Sequence, residues 1–203
     1  MSSLKAVLFD MDGVITDTAD AHAQSWKTLF DAYLAQHHPE EREFDIDADY
    51  RRHVDGKPRY DGVRDFLASR GISLPEGDPA DDPDALTICG LGNAKNREFN
   101  RWIEENPVEP YPGTLALLDA LDEAGIASAL FTSSRNAEAV LAAAGLSDRF
   151  AVRIDGVVMA ERGLPGKPDP AIMHQAAEGL GVAPADCAIV EDAVSGVEAG
   201  AKG

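Results

Sequence analysis

The sequence of 203 residues is long enough for one domain, or for a core with a smaller second domain, and its 44% of hydrophobic residues can bury a substantial core. Its formal net charge of −18 argues against nucleic acids and anionic membranes as partners. The sequence shows no long apolar run and no signal peptide, and Cys89 and Cys187 are far apart. We therefore expect a cytoplasmic protein with two reduced thiols.

The first predicted element is a buried strand that ends in two carboxylates. Residues 6–9 form a continuous apolar run, which is typical of a strand buried on both faces of a parallel sheet. Asp10 and Asp12 follow it, and Gly13 allows the backbone to turn and to approach a ligand closely. Because open α/β sheets carry their chemistry at the carboxyl ends of strands, both acids can reach one pocket. Taken alone, the motif is also typical of a solvated turn.

For the part of the chain that follows, up to about residue 109, the sequence predicts helices and no strands. We expect helices over residues 18–36, 50–54, a segment ending at Gly71, 84–89 and 94–105. Gly90 and Gly92 are interpreted as a turn between the last two of these helices. A crossover between parallel strands needs only about a dozen residues. The chain between the first and second predicted strands is much longer than that. The additional residues predict an inserted helical cap domain at residues 16–109, between the core segments 1–15 and 110–203.

Beyond Pro110 the pattern changes to alternating helices and strands. Helices are expected at residues 114–124, 137–144, 171–179 and from about 195, and strands at residues 126–131, 151–154 and 188–190. Such alternation predicts an α/β fold with a Rossmann-like, doubly wound parallel sheet.

Reactive groups follow the predicted strands and could act together on a phosphate ester. They are Asp10 and Asp12, residues 132–134, Lys167, and Glu191 with Asp192. Each could instead be an ordinary cap or turn residue, but their common position at one sheet edge favours a shared site. Carboxylates suit Mg²⁺, one carboxylate can attack phosphorus, and a second can transfer protons. A lysine and a hydroxyl can offset the charge of the phosphate.

Glu191 and Asp192 are adjacent at a strand end, with no basic neighbour to pair with them. Bringing them next to Asp10 would place like charges together and raise the pKa of at least one carboxyl group. We therefore expect Mg²⁺ to stabilise the folded protein.

The order and spacing of these groups resemble the four motifs of the haloacid dehalogenase superfamily. The matching stretches are Phe-Asp-Met-Asp-Gly-Val, Thr132, Gly-Lys-Pro-Asp-Pro and Val-Glu-Asp-Ala-Val-Ser-Gly. The resemblance implies that Asp10 is the nucleophile and Asp12 the general acid and base. It implies that Thr132 and Lys167 bind the phosphoryl group. It also implies that Mg²⁺ is held by Asp10, Glu191, Asp192 and the backbone carbonyl of Asp12.

Within the superfamily, the helical insertion is similar to the cap of the β-phosphoglucomutase group. This similarity implies that the hydroxyls and second phosphate of a sugar phosphate are bound by His22, Trp26, Gly56, Arg59, Lys95, Ser133, Ser134, Arg135 and Asn136. His22 would help to position the general acid, although His22, Arg59 and Lys95 also fit ordinary surface positions. The superfamily normally continues past the fourth motif with another strand and helix, whereas this sequence stops at Ala-Lys-Gly, so the sheet edge is expected to be incomplete.

The sequence thus predicts a monomeric enzyme that uses Mg²⁺ and acts on a small phosphorylated sugar. The favoured activity is interconversion of β-glucose 1-phosphate and glucose 6-phosphate. A phosphatase of the same fold, acting on a small sugar or other phosphate ester, is the alternative, because both activities share the core. A receiver-type signalling domain also uses clustered acids, a hydroxyl and a lysine, but it has no need of an inserted lid.

Overall fold

The computed structural model describes residues 4–203, which divide into two compact units. The first unit contains the chain up to Thr18 and from Pro107 onwards, and the second spans Ala19–Asn106. The described helices are α1 (Ala19–His37), α2 (Arg59–Ser69), α3 (Ile88–Glu105), α4 (Pro112–Glu123), α5 (Ala137–Ala143), α6 (Gly156–Arg162), α7 (Ala171–Gly179) and α8 (Val194–Lys202), with a π-helix at Ile46–Val54 and a 3₁₀ turn at Pro184–Asp186.

The first unit is built on a parallel sheet. Its described strands are β1 (Ala6–Phe9), β2 (Ala127–Phe131), β3 (Arg153–Ile154) and β4 (Cys187–Val190), in the order β3-β2-β1-β4. Every residue of the central strand β1 is buried, as its apolar run predicts. The register places Phe9 beside Leu130 of β2 and Val190 of β4. The carboxyl ends of these three strands therefore lie side by side, and the predicted α/β class is confirmed.

One buried apolar cluster packs helices α6 and α7 against the sheet. It includes Leu8 of β1 and Phe131 of β2, with Met159 of α6 and Ile172 and Met173 of α7. Full burial of such a side chain contributes roughly 1.5–3 kcal/mol. This packing fixes the strands whose ends carry the candidate residues.

The second unit has a core of its own, rich in aromatic side chains. Phe30 of α1 is fully buried, and its ring centroid lies 5.3 Å from that of Trp26, 5.3 Å from that of Phe44 and 4.1 Å from that of Phe66. Each aromatic pair contributes about 0.5–1.5 kcal/mol beyond the area it buries. Trp26, a predicted substrate-binding residue, is therefore also part of this core.

A single helix, α3, replaces the two helices and turn predicted around Gly90 and Gly92, so that prediction was wrong. A Cβ atom at Gly92 would lie 2.6 Å from the ring of Tyr60, and one at Gly90 would meet the carbonyl oxygen of Ala85. The hydroxyl of Thr87 caps the helix by accepting a hydrogen bond from the Gly90 amide at 2.8 Å. These glycines thus serve close packing inside a helix and make no turn.

Two helical segments differ from the prediction in another way. The π-helix Ile46–Val54 begins four residues before the short helix predicted for residues 50–54, and α6 was not predicted at all. In each case an aspartate at the N-cap, Asp45 or Asp155, accepts hydrogen bonds from two backbone amides of the first turn. The missed signal was therefore an N-cap residue ahead of a short helical segment.

No helix in the part of the chain that the structure describes combines the length and apolar character needed to cross a bilayer. Cys89 and Cys187 are free thiols, as expected from their separation in the sequence.

Candidate active site

Three carboxylates meet at the carboxyl ends of β1 and β4. Asp10 follows β1 directly, and Glu191 and Asp192 follow β4. One oxygen atom from each carboxylate lies within 4.8 Å of the others. The Asp10 amide donates to the carbonyl of Val190 at 3.0 Å, which extends the pairing of the two strands to their ends. We call Asp10, Glu191 and Asp192 the acid cluster.

The buried side chain of Lys167 joins two members of the acid cluster. Its Nζ atom lies 2.8 Å from Asp10 Oδ1 and 2.6 Å from Glu191 Oε2, and only 1% of the side chain is exposed. The expectation that no basic residue pairs with Glu191 was therefore wrong. Burial opposes a charge on Lys167, but Asp10 and Glu191 outweigh this effect and raise the pKa of the ammonium group. Lys167 therefore carries a positive charge within the site.

The acid cluster contains more negative charge than one lysine offsets. Burial raises the pKa of Asp10 well above its usual range; Lys167 acts in the opposite direction, and the nearby Glu191 and Asp12 carboxylates raise it further. Carboxylate oxygens at this spacing are the donor set that suits a hard divalent cation. The residues therefore fit Mg²⁺, because a bound cation would remove the excess negative charge.

Buried hydroxyl groups hold the side chain of Asp12. Thr18 donates its hydroxyl hydrogen to Asp12 Oδ1, and the hydroxyl oxygens of Thr16 and Thr18 lie 2.9 Å apart. Both threonines are fully buried. They were not among the predicted site residues, although two threonines four and six residues after Asp12 are a signal that could have identified them. Their role here is to orient the Asp12 carboxylate.

The residues after β2 form a turn that carries hydroxyl and amide groups. The hydroxyl oxygen of Thr132 accepts a hydrogen bond from the Ser134 amide at 3.1 Å, and that of Ser134 accepts one from the Asn136 amide at 3.2 Å. Thr132 and Ser133 are buried, whereas Arg135 is exposed. The turn follows β2, so it lies at the same sheet edge as the acid cluster.

The other predicted site residues belong to the second unit: His22, Trp26, Gly56, Arg59 and Lys95. The Nζ atom of Lys95 contacts His22 Nδ1 and lies 4.6 Å from the centre of the Phe99 ring. The His22 ring stacks on Phe99 at 3.8 Å between centroids. Because Lys95 is 4% exposed, it is not an ordinary surface cation.

Gly56 and Arg59 lie at the entry to α2. Gly56 has a left-handed backbone conformation with φ of +70°, which favours glycine. Arg59 is the first residue of α2, and its Cγ atom lies beside Gly92 of α3. Lys95 is on the same helix as Gly92, about one turn further along. Adjacent helices of the second unit therefore carry both of these predicted cations.

Comparison with known proteins extends over the whole described chain. The family model of haloacid dehalogenase-like hydrolases matches residues 4–203. A β-phosphoglucomutase from Mycobacterium bovis is 46% identical over 205 residues, covering 98% of this chain and 78% of the relative. The solved structure of a β-phosphoglucomutase from Clostridium difficile has a TM-score of 0.78 at 27% identity, covering 98% of this chain and 81% of its own. CbbY from Rhodobacter sphaeroides, solved with xylulose 1,5-bisphosphate, has a TM-score of 0.72 at 25% identity, and the match covers 98% of this chain and 82% of the CbbY chain.

These likenesses indicate a phosphomutase or a phosphatase, so the prediction of an enzyme is confirmed. The resemblance read from the four motifs is confirmed as well: the chain belongs to the haloacid dehalogenase-like hydrolase family.

Proposed function

We propose that the protein is a Mg²⁺-dependent phosphomutase that interconverts β-glucose 1-phosphate and glucose 6-phosphate through an aspartyl-phosphate on Asp10. The observation that carries this proposal is the setting of Asp10, a buried carboxylate at the end of the central strand, 2.8 Å from the ammonium group of Lys167. The M. bovis β-phosphoglucomutase, at 46% identity, supports the choice of sugar.

Asp10 is the proposed nucleophile and Asp12 the proposed acid and base. A carboxylate oxygen of Asp10 attacks one phosphorus of the sugar bisphosphate, the bond from that phosphorus to the sugar oxygen breaks, and the protonated Asp12 gives its proton to that oxygen, which releases a sugar monophosphate. In the return step, Asp12 takes a proton from a hydroxyl group of an incoming sugar monophosphate, and the oxygen of that hydroxyl attacks phosphorus as the bond to Asp10 breaks, so that the bisphosphate forms again. The hydrogen bond from Thr18 keeps the Asp12 carboxylate in one orientation for both transfers.

The acid cluster and the Asp12 backbone carbonyl would hold Mg²⁺, which supplies positive charge that keeps Asp10 ionised and offsets the charge of the phosphoryl oxygens. Lys167 contributes a second positive charge beside the attacking oxygen, because its Nζ already lies within hydrogen-bonding distance of Asp10. The hydroxyl of Thr132 adds a neutral donor.

A mutase must also bind the phosphate at the other end of its bisphosphate intermediate. Since the formal net charge of the chain is −18, this phosphate needs specific cations. The candidates are Arg59 in the second unit and Arg135 in the first, because a planar guanidinium group binds two phosphate oxygens at once. Lys95 is assigned to the sugar. Its ammonium group is held beside His22 and over the Phe99 ring, so its position is fixed.

The test is an assay with β-glucose 1-phosphate and a trace of the 1,6-bisphosphate, in which glucose 6-phosphate and free phosphate are measured together. We expect glucose 6-phosphate to form in excess over free phosphate, and the Asp10→Asn protein to form neither. A phosphatase is the second candidate, favoured by the hydrolase family that the chain matches. Free phosphate as the sole product would support the phosphatase, and no turnover of any phosphate ester would refute both activities.

A further inference from the structure

The backbone of residues 154–156 supports the turn after β2, which we call the β2 loop (residues 132–136). The Thr132 amide donates to the carbonyl of Ile154 at 2.9 Å, and the Gly156 amide donates to the carbonyl of Ser134 at 2.9 Å. These bonds continue the parallel pairing of β2 and β3 past the end of both strands. The position of the β2 loop therefore depends on the segment that leads into α6.

Gly156 has no room for a side chain. A Cβ atom there would lie 2.5 Å from the carbonyl oxygen of Ser133, 3.0 Å from the carbonyl carbon of Ser134 and 2.9 Å from Cγ of Arg135. Two of these atoms belong to the backbone, so a side-chain rotation cannot relieve the overlap. Gly156 does not have a positive φ, so the glycine is required by the close approach of the β2 loop and not by its own conformation.

Asp155 fixes the backbone of Gly156. It is buried at the N-cap of α6, where its Oδ1 atom accepts hydrogen bonds from the Val157 and Val158 amides at 3.0 Å each. Its Oδ2 atom lies 3.2 Å from Nε of Arg153. Asp155 therefore ties the backbone segment that contacts the β2 loop to helix α6 on one side and to Arg153 of β3 on the other.

The direction of the carbonyl groups determines the direction of the amides. In a planar trans peptide group, the C=O and N–H bonds point in opposite directions. The carbonyl oxygens of Ser133 and Ser134 face Gly156, so the amides of Ser134 and Arg135 point away from it. The Ser134 amide donates to the hydroxyl oxygen of Thr132, which leaves the hydroxyl hydrogen of Thr132 to point elsewhere.

We propose that Gly156 is a positioning residue for phosphoryl transfer. By fixing the carbonyl groups of Ser133 and Ser134, it directs the Arg135 amide and the Thr132 hydroxyl to the transferring phosphoryl group. The inference rests on the proposed function, and it extends the site to a residue outside the four sequence motifs.

Gly156→Ala tests this role with inorganic phosphate as the probe. Phosphate binding is measured by calorimetry in the presence of Mg²⁺, and turnover is measured with β-glucose 1-phosphate. Because displacing a binding group by about 1 Å can cost about 100-fold, we expect the phosphate affinity and kcat/KM to fall by roughly 10- to 100-fold. The rise in melting temperature with Mg²⁺ alone should stay the same, since β1 and β4 carry the acid cluster and β3 precedes Gly156.

Gly113→Ala is the matched control, because a Cβ atom at Gly113 meets no atom within 4 Å. It should leave phosphate binding and turnover unchanged. Unchanged phosphate affinity in Gly156→Ala would overturn the inference. Loss of both phosphate binding and the Mg²⁺-induced rise in melting temperature would also overturn the inference, because a loss of both would show that Gly156 has a structural role only.

If Gly156→Ala does not fold, amide NMR of the unsubstituted protein tests the inference instead. Titration with inorganic phosphate should move the amide signals of Arg135 and Gly156 along one binding curve, and phosphate binding that leaves the Gly156 amide unmoved would overturn the inference. Phosphate binding without turnover of any ester would refute the proposed function alone, since the binding readout for Gly156 does not depend on turnover. Absence of phosphate binding would refute both.

Discussion

Replacing Lys167 with methionine measures how much the buried ammonium group supports the site. Methionine keeps an unbranched side chain but removes the charge. Asp10 and Glu191 would then lose a cation 2.8 Å and 2.6 Å away, while 8% and 2% of their side chains are exposed. Removing one partner of a buried ion pair costs about 3–5 kcal/mol. For a chain of 203 residues, this corresponds to a fall in Tm of roughly 6–20 °C.

Calorimetry with a chelator and then with Mg²⁺ provides the assay. Mg²⁺ should raise the Tm of Lys167→Met more than that of the unsubstituted protein, because the two carboxylates have lost their ammonium partner. Lys27→Met is the control: Lys27 also pairs with two carboxylates, Asp31 at 2.6 Å and Glu43 at 3.2 Å, but 32% of its side chain is exposed. An exposed pair contributes only about 0–1 kcal/mol. Equal Tm values for Lys167→Met and Lys27→Met in the chelator would refute the reasoning.

Three further predictions concern the acid, the second phosphate and the second unit. Asp12→Ala should abolish most turnover but keep the Mg²⁺-induced rise in Tm, because only the Asp12 backbone is assigned to the metal; loss of both would contradict that division. Arg59→Ala should depress mutase turnover strongly and leave hydrolysis of an aryl phosphate nearly intact, whereas an equal loss in both reactions would indicate a folding defect. Burial favours the neutral form of Asp49, but hydrogen bonds from a backbone amide, Arg42 and Arg70 outweigh it and lower its pKa. The stabilisation by Asp49 is therefore present above its unfolded pKa of about 3.9 and is lost as the pH falls through the lower folded value. Asp49→Asn should lower Tm at neutral pH, and the difference should shrink in acid; a difference independent of pH would contradict this.

Local sequence patterns predicted most of the fold, because the pattern of burial follows the period of each element. The apolar run of residues 6–9 became the buried strand β1, and the spacing of Trp26, Leu29 and Phe30 became the inner face of α1. The short helix α6 was missed, although α5, which also has seven residues, was predicted. The Asp155 cap of α6 was a local signal that could have identified it.

Contacts between distant segments could not be predicted in the same way. The pairing of Lys167 with Glu191 depends on the order of strands in the sheet, which no local pattern encodes. Gly92 was interpreted as a turn residue because glycine is common in turns, but the Tyr60 ring from another helix determines its place. The support of the β2 loop by Gly156 is likewise a close approach between segments that only the folded chain reveals.

The central claim is that Asp10 carries the phosphoryl group, and its most direct test is detection of the phosphoenzyme. The protein is mixed rapidly with β-glucose 1,6-bisphosphate and Mg²⁺, quenched in acid, digested and analysed by mass spectrometry. We predict a phosphate adduct on the peptide that contains Asp10. Asp10→Asn keeps the shape of the side chain but lacks the nucleophilic carboxylate, so it should fold and yield neither adduct nor turnover. A phosphate adduct on a different residue, or normal turnover by folded Asp10→Asn, would contradict the mechanism.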